Sequence, residues 1–268
     1  LICMLPGNNE GDVYTDACED DLNRACESME TMKGDPRYLL SEISDGHVFF
    51  EAKADYAKNM VTGLIKLNGM TVGAVANCSE VYDAEGNKAE TFDMSLTAQG
   101  CNKAAEFVQF CDAFSIPVLS ITNVNGFKNC MCSEKKLAKA LARMTYAFSN
   151  ATCAKVNMIT GEAYGSAYVF MNSKSIGADL VYACNDAKIG TMDPTMAAKI
   201  MYPDADAAEI KEKASEYEKL QSSATSAAAR GYVDRIIEPA DSRKYLVAAF
   251  EMLYTKYVGE PEKKHGTK

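Results

Sequence analysis

Only two histidines occur in the 268 residues, His47 and His265, and neither stands beside an obvious nucleophile. That scarcity leaves a Ser-His-Asp triad without a base and a zinc site without imidazole ligands. No Gly-x-Gly-x-x-Gly or phosphate-loop motif is present, so a phosphate cradle has no support. No uninterrupted apolar stretch approaches the roughly 20 residues of a membrane-spanning helix. Nor is there an excess of basic residues. The net charge is −9, the wrong sign for a surface that tracks a phosphate backbone, and nucleic acid is not an expected partner.

Cysteine, by contrast, is plentiful. The ten cysteines show no zinc spacing, and the closest pair, Cys130-Met-Cys132, has no histidine near it. No signal-peptide pattern opens the sequence, and a chain of this size does not need a disulfide framework. Free thiols in a reducing cytoplasm are the expectation, and no metal site is expected. The apolar fraction of 47% and charged fraction of 24% are those of a globular protein, with length for one large domain or two small ones. The first residue is Leu1 rather than methionine, and Leu1-Ile-Cys-Met-Leu-Pro6 reads as a strand entering a loop. Together these suggest a chain that begins in mid-protein.

Residues 7–34 are polar and acidic, sparsely helical between Asp16 and Glu30, and read as a solvated surface segment. Asp35-Pro36 then opens a short helix through Ser44, since proline fits the first helical position. His47 to Glu51 precedes a hairpin, Met60 to Leu67 and Met70 to Asn77, around Asn68-Gly69, the preferred type I′ turn. Residues 78–93 read as a polar loop. Apolar residues at helical spacing run from Thr97 to Phe114, followed by a buried strand over Ile116 to Thr122. Helix is expected over Glu134 to Asn150, 166–174 and Asp193 to Met201. A long surface helix is expected over 206–230, broken near Ser222-Ser223, and a last helix from Ser242 to Val258. Strands are expected at 155–160, Leu180 to Ala183 and Lys188 to Gly190. Strands alternating with helices make the fold α/β, with right-handed crossovers.

The most informative stretch is Gly161-Glu-Ala-Tyr-Gly-Ser-Ala-Tyr-Val-Phe-Met171, between the strand Lys155 to Thr160 and the helix that follows. A strand feeding a small-residue turn into a helix leaves free backbone N–H groups and a positive dipole end at one point. Such a point suits an oxyanion. The alternative is that Gly165 and Ala167 only let helix and strand pack closely. Main-chain donors at Ser166-Ala167, and at Gly126-Phe127, suit chemistry that needs a polarised carbonyl and little side-chain acid–base help.

Several segments in order resemble the C-terminal half of a biotin-dependent acyl-CoA carboxyltransferase. Along the chain they are Leu5-Pro-Gly-Asn-Asn9, Val61-Thr-Gly63 with Gly69 to Asn77, Phe110-Cys-Asp-Ala-Phe114 with Pro117, and Gly126-Phe127. Ala163-Tyr-Gly-Ser-Ala-Tyr168, Gly177-Ala-Asp179, Arg230-Gly-Tyr-Val-Asp234, Glu238-Pro239 with Ser242-Arg243, and Lys263-Lys-His-Gly266 follow. Each is weak alone; their order and spacing together are strong. The family includes propionyl-CoA and acetyl-CoA carboxylases and the sodium-pumping methylmalonyl-CoA and glutaconyl-CoA decarboxylases. Four positions depart from its pattern. Gly165-Ser166-Ala167 stands for Gly-Gly-Ala, Asn123-Val-Asn-Gly-Phe127 for Asp-Val-Pro-Gly-Phe, and Cys184-Asn185 for Trp-Pro. The glycines that usually open the next helix are absent from Lys136 to Leu141.

The resemblance implies a crotonase-like β-β-α superhelix in which residues 1–268 form the C-terminal lobe of a longer two-lobe subunit. It implies transfer of a carboxyl group between biotin, borne on a separate carrier domain or subunit, and a coenzyme A thioester, through an enolate. In the family each lobe supplies one oxyanion pair. On this lobe the pair would be the Ser166 and Ala167 N–H groups, with Gly165, Gly126 and Phe127 against the substrate; Tyr168 and Val169 are candidates to line the acyl pocket, with an ordinary core role equally open to both. The implied partners are the chain's own N-terminal lobe, a biotinyl carrier protein, a membrane sodium-pump subunit or a biotin carboxylase, and further copies in a dimer or trimer. Two other readings stay open. One is a crotonase-type hydratase or isomerase, needing a carboxylate pair of which Glu162 is the only obvious member. The other is a non-catalytic assembly half.

Overall fold

The computed structural model describes residues 1–30, 34–83 and 85–259. The landmark Lys263 to Gly266, with His265, lies outside the described residues. Asp35 opens helix α1 (Pro36–Ile43) by accepting the Arg37 N–H at 3.1 Å, and Pro36 takes the first position, where its missing N–H is no loss. Strand β1 (Phe50–Ala52) leads into the hairpin β2 (Met60–Leu67) and β3 (Met70–Asn77). Asn68 at φ 50° and Gly69 at φ 75° turn it as expected. Residues 78–93 are not a plain loop: β4 (Glu80–Tyr82) and β5 (Lys88–Thr91) pair there as a small antiparallel flap. Its polar residues carry no apolar alternation, the signal by which a strand is read.

Strand β6 (Ser95–Leu96) precedes α2 (Ala98–Ala113), capped by the Thr97 hydroxyl, which accepts the Gly100 N–H at 3.1 Å. Then come β7 (Val118–Val124), β8 (Gly126–Phe127), α3 (Met131–Asn150), β9 (Lys155–Tyr164) and α4 (Gly165–Phe170). After them lie β10 (Leu180–Cys184), β11 (Lys188–Gly190), α5 (Pro194–Met201) and α6 (Ala207–Tyr217). A π turn over Glu218–Ser222 makes the break near Ser222-Ser223, and α7 (Ala224–Ala229), β12 (Arg235–Ile237) and α8 (Ser242–Leu253) close the order. The first residues are a 3₁₀ turn, Ile2–Met4, rather than a strand, and α8 stops five residues short of Val258. In so short an apolar run the periodicity does not separate the two states.

The main sheet runs β1-β2-β3-β7-β9-β10-β12, with β11 added beside the end of β9. Its first three strands are antiparallel, and from β3 onward every pair is parallel. Strand–strand–helix units occur as β7-β8-α3 and β10-β11-α5, and the hairpin β2-β3 is followed by α2 after the short strands β4 to β6, in keeping with the β-β-α succession the resemblance implies. Buried apolar residues from Met4 to Phe250 form one continuous core. Arg243 of α8, with no exposed side chain, ties the end of the chain to its beginning. It donates to the Ile43 carbonyl at 2.6 Å, the Asp21 carbonyl at 3.0 Å and the Asp45 carboxylate at 2.6 Å. Asp45 in turn accepts the N–H groups of Asn68 and Gly69, at 3.1 and 2.7 Å, so the same carboxylate holds the hairpin turn. No helix among the described residues is long and apolar enough to cross a membrane.

Candidate active site

Strand β9 lies between β7 and β10 and runs through Tyr164, past the expected end at Thr160. The small-residue turn is therefore shorter than the sequence suggests and sits at the C-terminal end of a parallel strand. In α/β sheets that is where ligands are met. Gly165 makes the corner at φ +60°, and a Cβ there would stand 3.1 Å from the Thr191 carbonyl oxygen. Ser166 is not among the residues of positive φ, so the corner depends on Gly165 and a side chain at 166 is no strain.

Helix α4 begins at this corner and ends at Phe170, earlier than the expected 174; a separate 3₁₀ turn covers Lys174–Ile176. No side chain caps it. Among the described residues no acceptor outside the helix takes the N–H of Ser166 or Ala167, and inside a helix its first N–H groups have none. Ser166 is exposed, whereas Ala167 is only 1% exposed. The two donors thus stand at the boundary between core and solvent.

The other candidate residues divide. Phe127 of β8 comes to the helix, its ring centroid 6.1 Å from that of Phe170. Gly126 is beside open space, with nothing within 4 Å of a Cβ built there. Tyr168 faces the other way, into the core, and burial pushes its phenol up to about 12. Val169 is half-buried against the same core.

The departures from the family pattern each have a place. Asn125 donates its backbone N–H to the Met94 carbonyl at 2.8 Å, which proline could not do. Lys136 to Leu141 lie inside α3, which begins at Met131, where Lys, Leu and Ala favour helix over glycine. Asn185 donates to Glu238 at 2.7 Å, beside the buried Cys184.

Glu162 is half-buried, and burial raises its carboxyl above the usual range against the pull of Asn125 and Lys188. Asp193 and Glu218 add to that rise and also bear on Tyr164, whose phenol burial pushes up strongly. Those two acids escape sequence reading because only folding brings the start of α5 and the π turn against β9. Glu218 is itself tied to Lys188 at 3.1 Å. His47 sits 3.6 Å from the Glu42 carboxylate on the turn before β1. Among the described residues no three metal-ligating side chains come together. A cavity of about 570 Å³ lined by Asp12, Ser115, Thr152 and Lys256 opens at the starts of β7 and β9, the opposite end of the sheet from the Gly165 corner.

Comparison with known proteins extends this geometry to a family. The carboxyl transferase domain family matches residues 2–267. The chain belongs to that family. Methylmalonyl-CoA decarboxylase subunit alpha of Propionigenium modestum is 38% identical to it, over 99% of this chain and 52% of its own length. The carboxyltransferase subunit of propionyl-CoA carboxylase from Haloferax mediterranei is 37% identical, with the same coverage of 99% and 52%. A crystal structure of transcarboxylase 12S with hydrolysed methylmalonyl-coenzyme A bound matches with a TM-score of 0.88 at 36% identity, covering 99% of this chain and 52% of that one. The fold is thereby crotonase-like, as the resemblance implies. The chain spans about half the length of the curated relatives it matches. Membership of this family does not favour the hydratase, isomerase or assembly-half readings.

Proposed function

We propose that this chain is the C-terminal lobe of a carboxyltransferase that moves a carboxyl group between biotin and a short acyl-CoA of the propionyl/methylmalonyl class. The observation that carries the proposal is the pair of unpartnered N–H groups, Ser166 and Ala167, on the Gly165 corner of a carboxyl transferase-family chain. A donor pair with no competing acceptor suits an oxygen on which negative charge develops. Preorganised donors of this kind stabilise the charged state without reorganising as it forms. Biotin, carried by a separate domain or subunit, would supply the activated carboxyl group. The chain's own part is to hold the oxyanion at Ser166 and Ala167, with Gly126, Phe127 and the exposed side of α4 bordering the substrate. Tyr168 and Val169 would support the helix from beneath.

The second oxyanion pair would come from an N-terminal lobe, in an assembly of several copies within the cytoplasm. A biotinyl carrier completes that assembly, with either a membrane sodium-pump subunit or a biotin carboxylase. The 268 residues alone are expected to fold but not to transfer carboxyl groups.

The deciding experiment measures acyl-CoA-dependent carboxyl exchange with biotin by the complete two-lobe subunit. Ser166→Pro deletes one N–H and is expected to lower kcat about 10²–10³-fold, the usual effect of losing one such donor. Ser166→Ala keeps the donor and is expected to retain most of the activity. A large loss in the alanine variant would instead make the hydroxyl a nucleophile, and turnover by the isolated lobe would overturn the shared site.

A further inference from the structure

Helix α4 has six residues, well below the roughly 12–15 at which a helix holds its own shape in water. The positions of the Ser166 and Ala167 N–H groups are therefore set by the joints at its two ends. Both joints are side-chain amides, and both are fixed to β7.

The approaching joint is a break in the β7–β9 ladder. Thr122 pairs with Ile159, but Val124 pairs with Ala163, so two extra β9 residues are accommodated opposite Asn123. Asn123 closes the gap with its side chain, its Oδ1 accepting the Glu162 N–H at 3.0 Å. Its own backbone N–H donates to Asn77 Oδ1 at 3.3 Å, which sets it against β3. Gly161 makes the arrangement possible, because a Cβ there would lie 2.6 Å from Asn123 Oδ1. A regular ladder would need neither residue, and the break determines where β9 ends and the Gly165 corner begins.

The departing joint is Asn172. It is fully buried, it turns the chain at φ +56°, and its Nδ2 donates to Ser120 Oγ at 3.0 Å and to the Val156 carbonyl at 3.4 Å. Asparagine reaches this left-handed conformation more readily than most residues. Beside it the Thr122 hydroxyl donates to the Met171 carbonyl at 3.3 Å. Ser120, Thr122 and Asn123 all belong to β7, so one strand holds α4 from both sides.

We infer that Asn123 and Asn172 are positioning residues that hold the Ser166 and Ala167 donors in register for the oxyanion. The inference rests on the oxyanion reading above. Its test compares complete-subunit variants by kinetics and by crystallography. Asn123→Ala removes the acceptor, Gly161→Ala pushes a methyl group into the same space from the other strand, and Asn172→Gly keeps the positive φ but loses both hydrogen bonds. Each is expected to lower kcat about tenfold to a hundredfold, the scale of an ångström misplacement, with KM for the acyl-CoA little changed. Each should also show a displaced 162–167 backbone. Asn123→Asp, which keeps an acceptor oxygen, is expected to recover most of what Asn123→Ala loses. A turn that stays in place, or an aspartate variant as impaired as the alanine one, overturns the positioning role. A displaced turn with undiminished kcat overturns the oxyanion reading itself.

Discussion

The Lys103 ammonium, 1% exposed, donates to the Tyr56 carbonyl at 2.8 Å and so pins a loop in which Lys53 and Ala57 both adopt positive φ. Burial draws this ammonium down from 10.5 to about 8; Glu51 and Cys78 oppose the shift, while Arg37 and Lys53 add to it.

Between pH 8 and 10.5 the folded chain therefore binds fewer protons at Lys103 than the unfolded chain, and stability rises with pH. Buried thiols act in the opposite sense above pH 9, because Cys78 is raised to about 11 and Cys101 and Cys153 to about 12. The lysine effect is clearest between pH 8 and 9. Urea unfolding is expected to show the parent gaining about 1 kcal/mol more across that interval than Lys103→Met. Lys155, also lowered by burial, is common to both proteins and cancels. Equal gains in parent and variant would rule out the depressed lysine.

Arg243→Met is expected to lower unfolding free energy by about 3–5 kcal/mol, since it leaves the Asp45 carboxylate and the Ile43 and Asp21 carbonyls without their buried donor. Chemical denaturation measures this. A loss below about 1 kcal/mol would place the network among the many ion pairs that add little.

All ten cysteines are free thiols. Cys3, Cys130 and Cys132 are exposed, whereas Cys26, Cys78, Cys101, Cys111, Cys153 and Cys184 are buried. Hydrogen bonding from Ser133 lowers the Cys130 thiol, whose Sγ lies 3.1 Å from the Ser133 hydroxyl. Iodoacetamide on the native protein is expected to alkylate Cys130 faster than Cys3, and Ser133→Ala is expected to slow it. Mass spectrometry of timed samples would show an unchanged Cys130 rate if the hydroxyl plays no part.

The hairpin at Asn68-Gly69, the capped helices after Asp35 and Thr97, and the strand leading to Gly165 were legible because local chemistry dictates them. Type I′ geometry, an N-cap oxygen and a buried apolar run each act within a few residues. The β4–β5 flap and β12 were not legible, since their partners are supplied by the fold and their residues are polar or few. The same division holds at the site. Gly165, Ser166 and Ala167 announce themselves by size, and Phe127 by its resemblance to the family. Asn123 stands out only as a departure within that family motif and Asn172 not at all, because the partners that give these amides their work, Glu162 and Ser120, come opposite only in the fold. Tyr168 could be core or pocket by sequence, and helix orientation decides for the core.

Closure through Arg243 has a consequence in time. Asp45 meets a partner 198 residues further along, and the Cys26 N–H meets the Ala240 carbonyl. On a ribosome adding about 5–20 residues each second, the nascent hairpin and its turn carboxylate precede that arginine by roughly 10–40 s. Through this interval the early strands are made but unlatched, and β3 offers an open edge until β7 emerges. Slowing translation beyond residue 77 lengthens that exposure, whereas slowing it beyond residue 243 does not.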